Sequence, residues 1–407
     1  MHVVITAHPK YSHVIPLALP VADLLRRAGH EVTIATGADF AARLASDGYS
    51  TLALPSARPI SQVMFDANLL GDSVPGSAPG DRPDRVPAAP PPEMFARGFV
   101  KVMGASFAAD LLDALASDPP DLILRDPVEF GGYLAAERLG IAHGVLDNCP
   151  LAPFGHPAVL EELNRQREAL GLPPMPDAWH PFSTFRAGVV PEVFYPPANR
   201  LPNARYYRTP PQSGQAPLDG AIAALPSDRP LVLASIGTNA HRVVESAESV
   251  LNTVIEVLGQ LPVTGVVAVG EGRDPSQWSG ARADNVHLTS FVQQRLLLPA
   301  CAAFITHAGF NSVREGIEAG APMVALPLFA EEPANARRIA ELGLGPGLSP
   351  EELTAATLRN AVEHVLSDEK PRARVKWLQR QMFALPPLSQ IVEDVQSLKE
   401  VTHARAH

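Results

Sequence analysis

The sequence lacks most of the features that mark secreted, membrane-spanning and nucleic-acid-binding chains. It has only two cysteines, Cys149 and Cys301, in 407 residues. A disulfide framework is therefore excluded, and the thiols fit a reducing compartment, with a single bridge left open. No apolar stretch approaches the ~20 residues that a membrane span needs. The opening M-H-V-V-I-T-A is typical of a first strand and not of a signal peptide. We therefore expect a cytoplasmic protein without a membrane span.

Positive charge is also scarce. The 33 lysines and arginines are outnumbered by 43 aspartates and glutamates, which gives a net charge of −10 with no basic run. This balance argues against nucleic acid as a partner and, more weakly, against an anionic membrane surface. The histidines show no metal-ligand spacing, so no metal site is expected.

Apolar residues and proline are abundant. The hydrophobic content is 46%, the charged content is 19%, and there are 42 prolines. A chain of this length and composition can bury two cores, and two domains are the natural expectation. The prolines cluster between the apolar runs, which suggests long and stiffened connections.

Short apolar runs alternate with helical patterns in both halves of the chain. Such alternation predicts βαβ units with parallel sheets, and hence an α/β fold with two Rossmann-like domains. The predicted strands cover residues 2–7, 31–36, 52–55, 121–125 and 142–146 in the first half. In the second half they cover residues 231–235, 264–269, 286–288, 304–306 and 323–328.

Composition also divides the chain. Residues 1–208 are predicted to form the first domain, 209–228 a proline-rich linker, and 229–374 the second domain. Residues 150–205 read as irregular. Open α/β sheets bind ligands at the carboxyl ends of their strands, so both domains are expected to place their sites toward one shared cleft.

The most informative segment is residues 304–332, F-I-T-H-A-G-F-N-S-V-R-E-G-I-E-A-G-A-P-M-V-A-L-P-L-F-A-E-E. A buried strand, a small-residue turn and a helix N-terminus form an anion site, because backbone N–H groups and the helix dipole point at the ligand. His307, Asn311 and Ser312 add side-chain donors, and Glu315 lies within reach of a ribose. This layout is expected for a nucleotide diphosphate, with an acidic pair further out for hydroxyls.

This segment resembles the donor-binding signature of the GT-B nucleotide-sugar glycosyltransferases, which include plant secondary-metabolite enzymes and actinomycete antibiotic enzymes. The plant version reads H-C-G-W-N-S-x-x-E, then A-G-V-P-M-V-x-x-P, then D-Q or E-Q. Residues 307–315, 319–327 and 331–332 match these motifs in register. The resemblance implies a glycosyltransferase of GT-B fold that uses a UDP- or dTDP-sugar. It also implies that a final helix, here within 375–407 and near 375–398, crosses back to the first domain.

Two further motifs extend the resemblance. Residues 235–238, S-I-G-T, are similar to the family's S-x-G-T, and residues 291–294, F-V-Q-Q, to its F-V-P-Q. The donor-binding residues implied by the resemblance are Gly237, Thr238, Val292, Gln293, His307, Gly309, Asn311, Ser312, Glu315, Glu331 and Glu332. Glu332 stands where the family has glutamine, and an ionised carboxylate cannot donate a hydrogen bond. This exchange suggests a donor with a deoxy or amino sugar.

Sugar transfer to a hydroxyl needs a base, and histidine suits that role at neutral pH. The family carries G-H-x-x-P in its first βα turn, and residues 12–16, S-H-V-I-P, occupy that place. The resemblance therefore implies His13 as base and Asp126, just after a later strand, as the carboxylate that orients it. His8 is the competing base.

The family chemistry implies single displacement with inversion at the anomeric carbon. The chain has no D-x-D triplet, the usual carboxylate handle for a metal-bound nucleotide sugar, so a metal-independent reaction is expected. The predicted acceptor is a small hydrophobic natural product, as in antibiotic biosynthesis. Candidate acceptor-binding residues are Met64, Phe65, Phe95, Phe99, Phe154 and Phe182. The chain is expected to be a monomer or a homodimer. The alternative is a non-catalytic relative that activates a partner glycosyltransferase.

Overall fold

The computed structural model of the chain describes residues 1–59, 91–210, 216–237, 246–280 and 282–405. These residues cluster into two compact units. The first unit holds residues 1–59, 91–210 and 385–405, and the second holds residues 216–237, 246–280 and 282–384. The domain boundaries drawn from composition stay predictions. No helix in the described ranges has both the length and the apolar character that crossing a bilayer requires.

The first unit is built on a seven-stranded sheet in the order β3-β2-β1-β4-β5-β6-β7. All neighbouring strands are parallel. The strands are β1 (His2–Thr6), β2 (Glu31–Gly37), β3 (Ser50–Leu54), β4 (Leu122–Arg125), β5 (Ala142–Asp147), β6 (Arg186–Gly188) and β7 (Ala204–Tyr206). The central strands are almost wholly buried because helices cover both faces of a parallel sheet, and this explains their continuous apolar runs.

The second unit is built on a five-stranded parallel sheet in the order β10-β9-β8-β11-β12. The strands are β8 (Leu231–Ser235), β9 (Thr264–Ala268), β10 (Val286–Thr289), β11 (Ala303–Thr306) and β12 (Met323–Ala325). In both sheets the first strand of the unit lies between its second and its fourth strand. The chain direction reverses across the sheet at this point, which is where open α/β sheets bind ligands. The predicted α/β class is confirmed.

Helices flank both sheets. The α-helices of the first unit are Tyr11–His13, Leu19–Arg27, Ala38–Ser46, Pro92–Phe95, Ala105–Leu115, Gly131–Leu139, Pro157–Ala169 and Ile391–Arg405. This unit also has π-helices Val14–Ala18 and Ala96–Gly104, and 3₁₀ turns His180–Phe182, Glu192–Phe194, Pro197–Asn199 and Leu388–Gln390. The α-helices of the second unit are Gly220–Ala223, Ala247–Gln260, Gln294–Leu297, Phe310–Ala319, Glu332–Glu341, Ala355–Ser367 and Glu369–Phe383. Its 3₁₀ turns are Pro275–Gln277 and Leu298–Ala300.

The C-terminal region differs from the prediction of one helix over 375–398. Two helices are present, Glu369–Phe383 and Ile391–Arg405, because the pair Pro386-Pro387 cannot continue a helix. The first helix is tied to the second unit, since the Gln379 side chain donates to the Glu318 carbonyl at 2.7 Å. The second helix belongs to the first unit, where the Tyr207 hydroxyl donates to the Asp394 carboxylate at 2.5 Å.

Residues 150–205 were also predicted wrongly as irregular. They include the 13-residue helix Pro157–Ala169 and the short strands β6 and β7. The helix begins with proline at its first position, and the His156 ring accepts a hydrogen bond from the Ala158 N–H at 3.3 Å. The predicted strand 323–328 is shorter than expected, because it ends at Ala325 and the chain then turns toward the helix Glu332–Glu341.

Candidate active site

The first unit brings the two predicted catalytic residues together. His13 follows β1 and Asp126 follows β4, and these two strands are neighbours in the sheet. Because both strands are parallel, their carboxyl ends meet at the same edge, which places the two side chains side by side. His13 Nδ1 is hydrogen-bonded to Asp126 Oδ2. The histidine side chain keeps 13% of its surface exposed, whereas the aspartate side chain is fully buried.

His13 lies in a continuous helical stretch that contains a π-helix between two α-helical segments. His13 ends the short helix Tyr11–His13, and the π-helix Val14–Ala18 follows directly. The Asn148 side chain, at the end of β5, donates from Nδ2 to the His13 carbonyl at 3.2 Å. π-Helical turns are rare in proteins, and those that occur are often found at functional sites. The family motif named His13, but no sequence signal pointed to Asn148.

The Asp126 carboxylate is held from two sides. Its Oδ1 accepts a hydrogen bond from the Val128 N–H at 3.0 Å, while its Oδ2 contacts His13. Burial alone would raise the pKa of Asp126, but the charge of His13 and its hydrogen bond outweigh burial and lower this pKa below its usual value. The carboxylate is therefore ionised at neutral pH and can only accept hydrogen bonds.

His8 is the competing histidine, and its surroundings differ. It is 1% exposed, and its Nε2 lies 3.3 Å from the Val128 carbonyl. Burial lowers the pKa of His8 to about 4, although the charge of Asp126 opposes this shift. His8 is therefore neutral at pH 7 and packs edge-on against Phe99 and Phe107. A buried ring with these contacts is poorly placed to reach an acceptor hydroxyl.

The second unit carries the predicted donor turn after β11. Its backbone is strained at Ala308, which has φ 64° and is fully buried. Left-handed backbone at a residue other than glycine costs about 1–2 kcal/mol, so contacts must hold it. The Ala308 N–H donates to Thr306 Oγ1 at 3.1 Å, and the buried Asn335 donates from Nδ2 to the Ala308 carbonyl at 2.9 Å. Sequence reasoning missed Asn335, which lies in the next helix and shows no local signal.

The His307 ring lies in a narrow gap between two predicted donor-site glycines. A Cβ atom at Gly237 would lie 2.9 Å from His307 Nε2, and one at Gly309 would lie 2.4 Å from the same atom. Gly237 also has φ +90°, which other residues rarely adopt. Gly237 follows β8 and His307 follows β11, so the neighbouring strands bring them together. Thr238 lies outside the described residues.

The helix Phe310–Ala319 begins directly after this turn. Its N-cap is Gly309, which offers no side-chain acceptor to the first-turn amides. Gln294 links two predicted donor residues, because its Nε2 contacts Glu315 Oε2 at 2.7 Å and Ser312 Oγ at 3.3 Å. Burial raises the pKa of Glu315, although the charge of Arg314 opposes the shift. Asn311 lies half-buried in the same first turn.

The residues that follow β10 carry the F-V-Q-Q motif, which is the second part of the predicted donor site. Val292 is 4% exposed and Gln293 is half-buried at the N-cap of the helix Gln294–Leu297. Phe291, the first residue of the F-V-Q-Q motif, is 53% exposed. An exposed aromatic ring beside a buried valine offers a flat apolar face at this edge.

The acidic pair divides into two different environments. Glu331 is half-buried at the N-cap of the helix Glu332–Glu341. Glu332 is 3% exposed, and its Oε2 accepts hydrogen bonds from the N–H groups of Leu328 and Phe329 at 2.7 and 3.0 Å. Its Oε1 lies 4.0 Å from His307 Nε2. The backbone turn therefore engages Oε2, and the contact of the Glu332 carboxylate with sugar hydroxyls or a sugar ammonium stays a prediction.

The predicted acceptor residues are mostly core. Phe95, Phe154 and Phe182 are 4%, 0% and 0% exposed and pack in one hydrophobic cluster. Their burial argues against direct acceptor contact. Phe99 is half-buried and packs on His8. Met64 and Phe65 lie outside the described residues. Within the described ranges, no group of three or more His, Cys, Asp or Glu side chains is arranged to hold a metal ion.

Known proteins share sequence with this chain. Residues 201–386 match the family model of UDP-glucoronosyl and UDP-glucosyl transferase. The NDP-glycosyltransferase YjiC of Bacillus subtilis (strain 168) is 27% identical, with 93% of this chain and 92% of that protein aligned. The tylactone mycaminosyltransferase of Streptomyces fradiae is 28% identical, with 98% of this chain and 92% of that protein aligned.

The fold is shared with solved glycosyltransferases. The crystal structure of VinC in complex with dTDP superposes with a TM-score of 0.74 at 22% identity, and covers 98% of this chain and 100% of that one. At this identity the likeness shows the fold alone, which is GT-B. The family model and the near full-length relatives add the enzyme class. The chain is therefore an enzyme of the glycosyltransferase class with the GT-B fold, and it is similar over nearly its whole length to named nucleotide-sugar glycosyltransferases.

Proposed function

We propose that the chain transfers a sugar from a UDP- or dTDP-sugar to a small hydrophobic natural product, with inversion and without a metal ion. His13 is the general base, and Asp126 orients it. The observation that carries the proposal is the hydrogen bond from the partly exposed His13 ring to the fully buried Asp126 carboxylate.

The pair has the polarity that base catalysis needs. Because the ionised Asp126 only accepts hydrogen bonds, the neutral His13 ring carries its proton on Nδ1 and leaves the Nε2 lone pair for a substrate proton. The acceptor oxygen bonds to the anomeric carbon as its proton passes to Nε2. The bond from that carbon to the diphosphate oxygen breaks, and its electron pair leaves with the diphosphate. The Asp126 charge stabilises the imidazolium that forms.

The second unit supports binding of the leaving diphosphate. The helix Phe310–Ala319 presents its N-terminus after the strained turn, and the positive end of its dipole favours negative charge. The His307 ring, fixed between Gly237 and Gly309, adds a donor at the same place. Preorganised donors of this kind stabilise a developing negative charge without reorganisation, which supports a reaction that needs no metal.

The names of related proteins support a particular class of donor and of acceptor. One is named for transfer of mycaminose to tylactone, and the VinC structure is described as a complex with dTDP. These names support a dTDP-sugar, or the chemically similar UDP-sugar, as donor and a macrolide-like aglycone as acceptor. The half-buried Phe99 and the exposed Tyr11, near the catalytic pair in sequence or space, offer apolar surface for such an acceptor.

The test combines binding and turnover. Purified protein is titrated calorimetrically with UDP, dTDP, ADP and GDP, and then incubated with UDP-glucose or dTDP-glucose and a panel of hydrophobic polyketide and phenolic aglycones. Products are detected by mass spectrometry, and the anomeric configuration is read by NMR. We expect an inverted product that forms in EDTA, and a large loss of kcat in His13→Ala and Asp126→Asn.

The matched control is His364→Ala, because His364 is a half-exposed histidine of the second unit. It should leave kcat unchanged. Full turnover by His13→Ala would refute its role as base, and activity that vanishes in EDTA and returns with Mg²⁺ would refute metal independence. If the protein binds nucleotide but turns over none of the acceptors tested, the alternative of a non-catalytic relative that activates a partner glycosyltransferase would be favoured.

A further inference from the structure

The residue that precedes Asp126 is an arginine with an unusual environment. Arg125 ends β4 and is 0% exposed. Among the described residues its guanidinium forms no ion pair with a carboxylate, and its Nε has no hydrogen-bond partner. A buried charge with an unsatisfied donor is costly, so such a group calls for an explanation. Nothing in the catalytic scheme above uses it.

The hydrogen bonds of Arg125 converge on one turn. Its Nη1 donates to the carbonyls of Asp126, Pro127 and Glu129 at 3.2, 3.0 and 3.1 Å. Its Nη2 donates to the Pro181 carbonyl at 2.9 Å. Three of these four acceptors therefore belong to the four-residue turn that carries the Asp126 carboxylate. A planar guanidinium can serve acceptors on two sides at once, which an ammonium group does not match.

Aromatic rings enclose the same guanidinium. Its carbon lies 4.9 Å from the centre of the Phe182 ring and 5.4 Å from that of Phe130. Burial lowers the pKa of Arg125 to about 10, which leaves it charged at pH 7. In such a dry environment the charge-assisted hydrogen bonds to the turn are stronger than they are in water.

Further hydrogen bonds hold the turn of residues 126–129 at Glu129. The Glu129 N–H donates to the Asp126 carbonyl at 3.1 Å, and the Glu129 carboxylate accepts from Thr6 Oγ1 at 2.5 Å and from the Gly132 N–H at 2.9 Å. Of the side chains that the structure describes, Arg125 alone binds several carbonyls of the turn through one group. Its removal would leave these carbonyls buried without their shared donor.

We propose that Arg125 is a positioning residue, which holds the turn of residues 126–129 so that Asp126 faces His13 Nδ1 and selects the Nδ1–H tautomer of that ring. The proposal rests on the proposed function of the His13–Asp126 pair. Arg125 does not touch the reacting atoms, and it acts through the direction of the carboxylate.

The tautomer of His13 gives a readout that needs no substrate. Protein labelled with ¹⁵N-histidine is studied by two-bond ¹H–¹⁵N NMR above the pH at which the ring is protonated, and His13→Gln assigns the signal. The wild type should show Nδ1–H, and Asp126→Asn should alter this pattern. Arg125→Met should produce the altered pattern, and Arg125→Lys should lie between the two because it keeps the charge but not the planar fork.

Arg186→Lys is the matched control. Arg186 is also buried, at 1% exposed, and its guanidinium lies 5.5 Å from the same Phe182 ring. It bonds to Asp147 and to the Asn199 carbonyl and not to the turn of residues 126–129. The Arg186→Lys variant should lower the melting temperature about as much as Arg125→Lys does, while its His13 tautomer stays the same as in the wild type. If Arg125→Met does not fold, the comparison of the two lysine variants decides.

Kinetics separate this proposal from the proposed function. Arg125→Met should lower kcat by roughly 10- to 100-fold, as expected for a catalytic group misplaced by about 1 Å, with little change in the KM of the nucleotide sugar. In the Asp126→Asn background it should cost nothing further. If Asp126→Asn itself keeps full activity, the proposed function fails. If Asp126→Asn loses activity while both Arg125 variants keep the wild-type tautomer and rate, only the positioning role is overturned.

Discussion

Gly309→Ala is the most direct test of how the donor turn works. Gly309 has φ −58° and ψ 139°, which alanine adopts without strain, so the backbone should fold unchanged. The added Cβ would lie 2.4 Å from His307 Nε2, whereas ordinary van der Waals contact begins near 3.4 Å. The ring must therefore move by about 1 Å. Because Gly237 closes the other side, the ring has little room to do so without leaving its place.

The magnitude follows from the contact that the ring would lose. A hydrogen bond to a charged group contributes about 1.5–3 kcal/mol, and every ~1.4 kcal/mol is a tenfold change in affinity. Gly309→Ala should therefore weaken nucleoside diphosphate binding by roughly 10- to 150-fold, close to the effect of His307→Ala. Isothermal titration with dTDP and UDP measures both variants against the wild type.

Gly347→Ala serves as the control in the same unit. Its added Cβ would lie 3.4 Å from the nearest atom, the Ala336 carbonyl oxygen, so the site has room for a methyl group. It should bind nucleotide like the wild type. Wild-type affinity in folded Gly309→Ala, beside a weakened His307→Ala, would show that the gap does not fix the ring. Wild-type affinity in His307→Ala would remove His307 from the donor site altogether.

Two further predictions concern stability. The free energy of unfolding should fall by up to ~3 kcal/mol as pH falls from about 6.5 to about 4, because burial lowers the pKa of His8 to about 4 and the unfolded chain binds that proton more readily. Urea melts across this range should show a flatter dependence for His8→Gln, and an unchanged slope would contradict the assignment. Glu332→Ala should cost roughly 1–3 kcal/mol, because the N–H groups of Leu328 and Phe329 lose their buried acceptor. Glu332→Gln keeps an acceptor oxygen and should cost less, and equal melting temperatures for the two variants would refute this account.

The strands and the donor turn could be predicted because their signals are local. The apolar runs of β1, β8 and β11 are continuous, since both faces of each strand are buried, and glycine or proline marks their ends. The pairing of His13 with Asp126 needed more than local pattern. It followed from the resemblance to a family motif, and the neighbouring places of β1 and β4 in the sheet supply its physical reason.

The sequence-based predictions failed where contacts between residues distant in sequence, or conflicting local signals, determine the structure. The helix Pro157–Ala169 had its own signals, proline at the first position and Glu161 four residues before Arg165, but the aromatic and proline-rich flanks concealed them. The roles of Asn335, Asn148 and Arg125 depend on hydrogen bonds to carbonyls distant in sequence or in an unpredicted turn. No periodicity or motif of a single sequence reports such contacts. The motif position of Glu332 likewise gave no sign that its carboxylate accepts hydrogen bonds from the backbone of the preceding turn.

The π-helix Val14–Ala18 has a consequence for the length of the chain after His13. A π-turn holds one residue more than an α-turn, so the deletion of one residue there would allow ordinary α-helix to form. Because the extra residue is taken up within the turn, such a deletion would leave the flanking helical segments in nearly the same rotational register, whereas each residue lost from a regular α-helix rotates those segments by about 100° relative to each other. The π-turn is therefore the place where the helical stretch after His13 can lose one residue while the imidazole still faces Asp126.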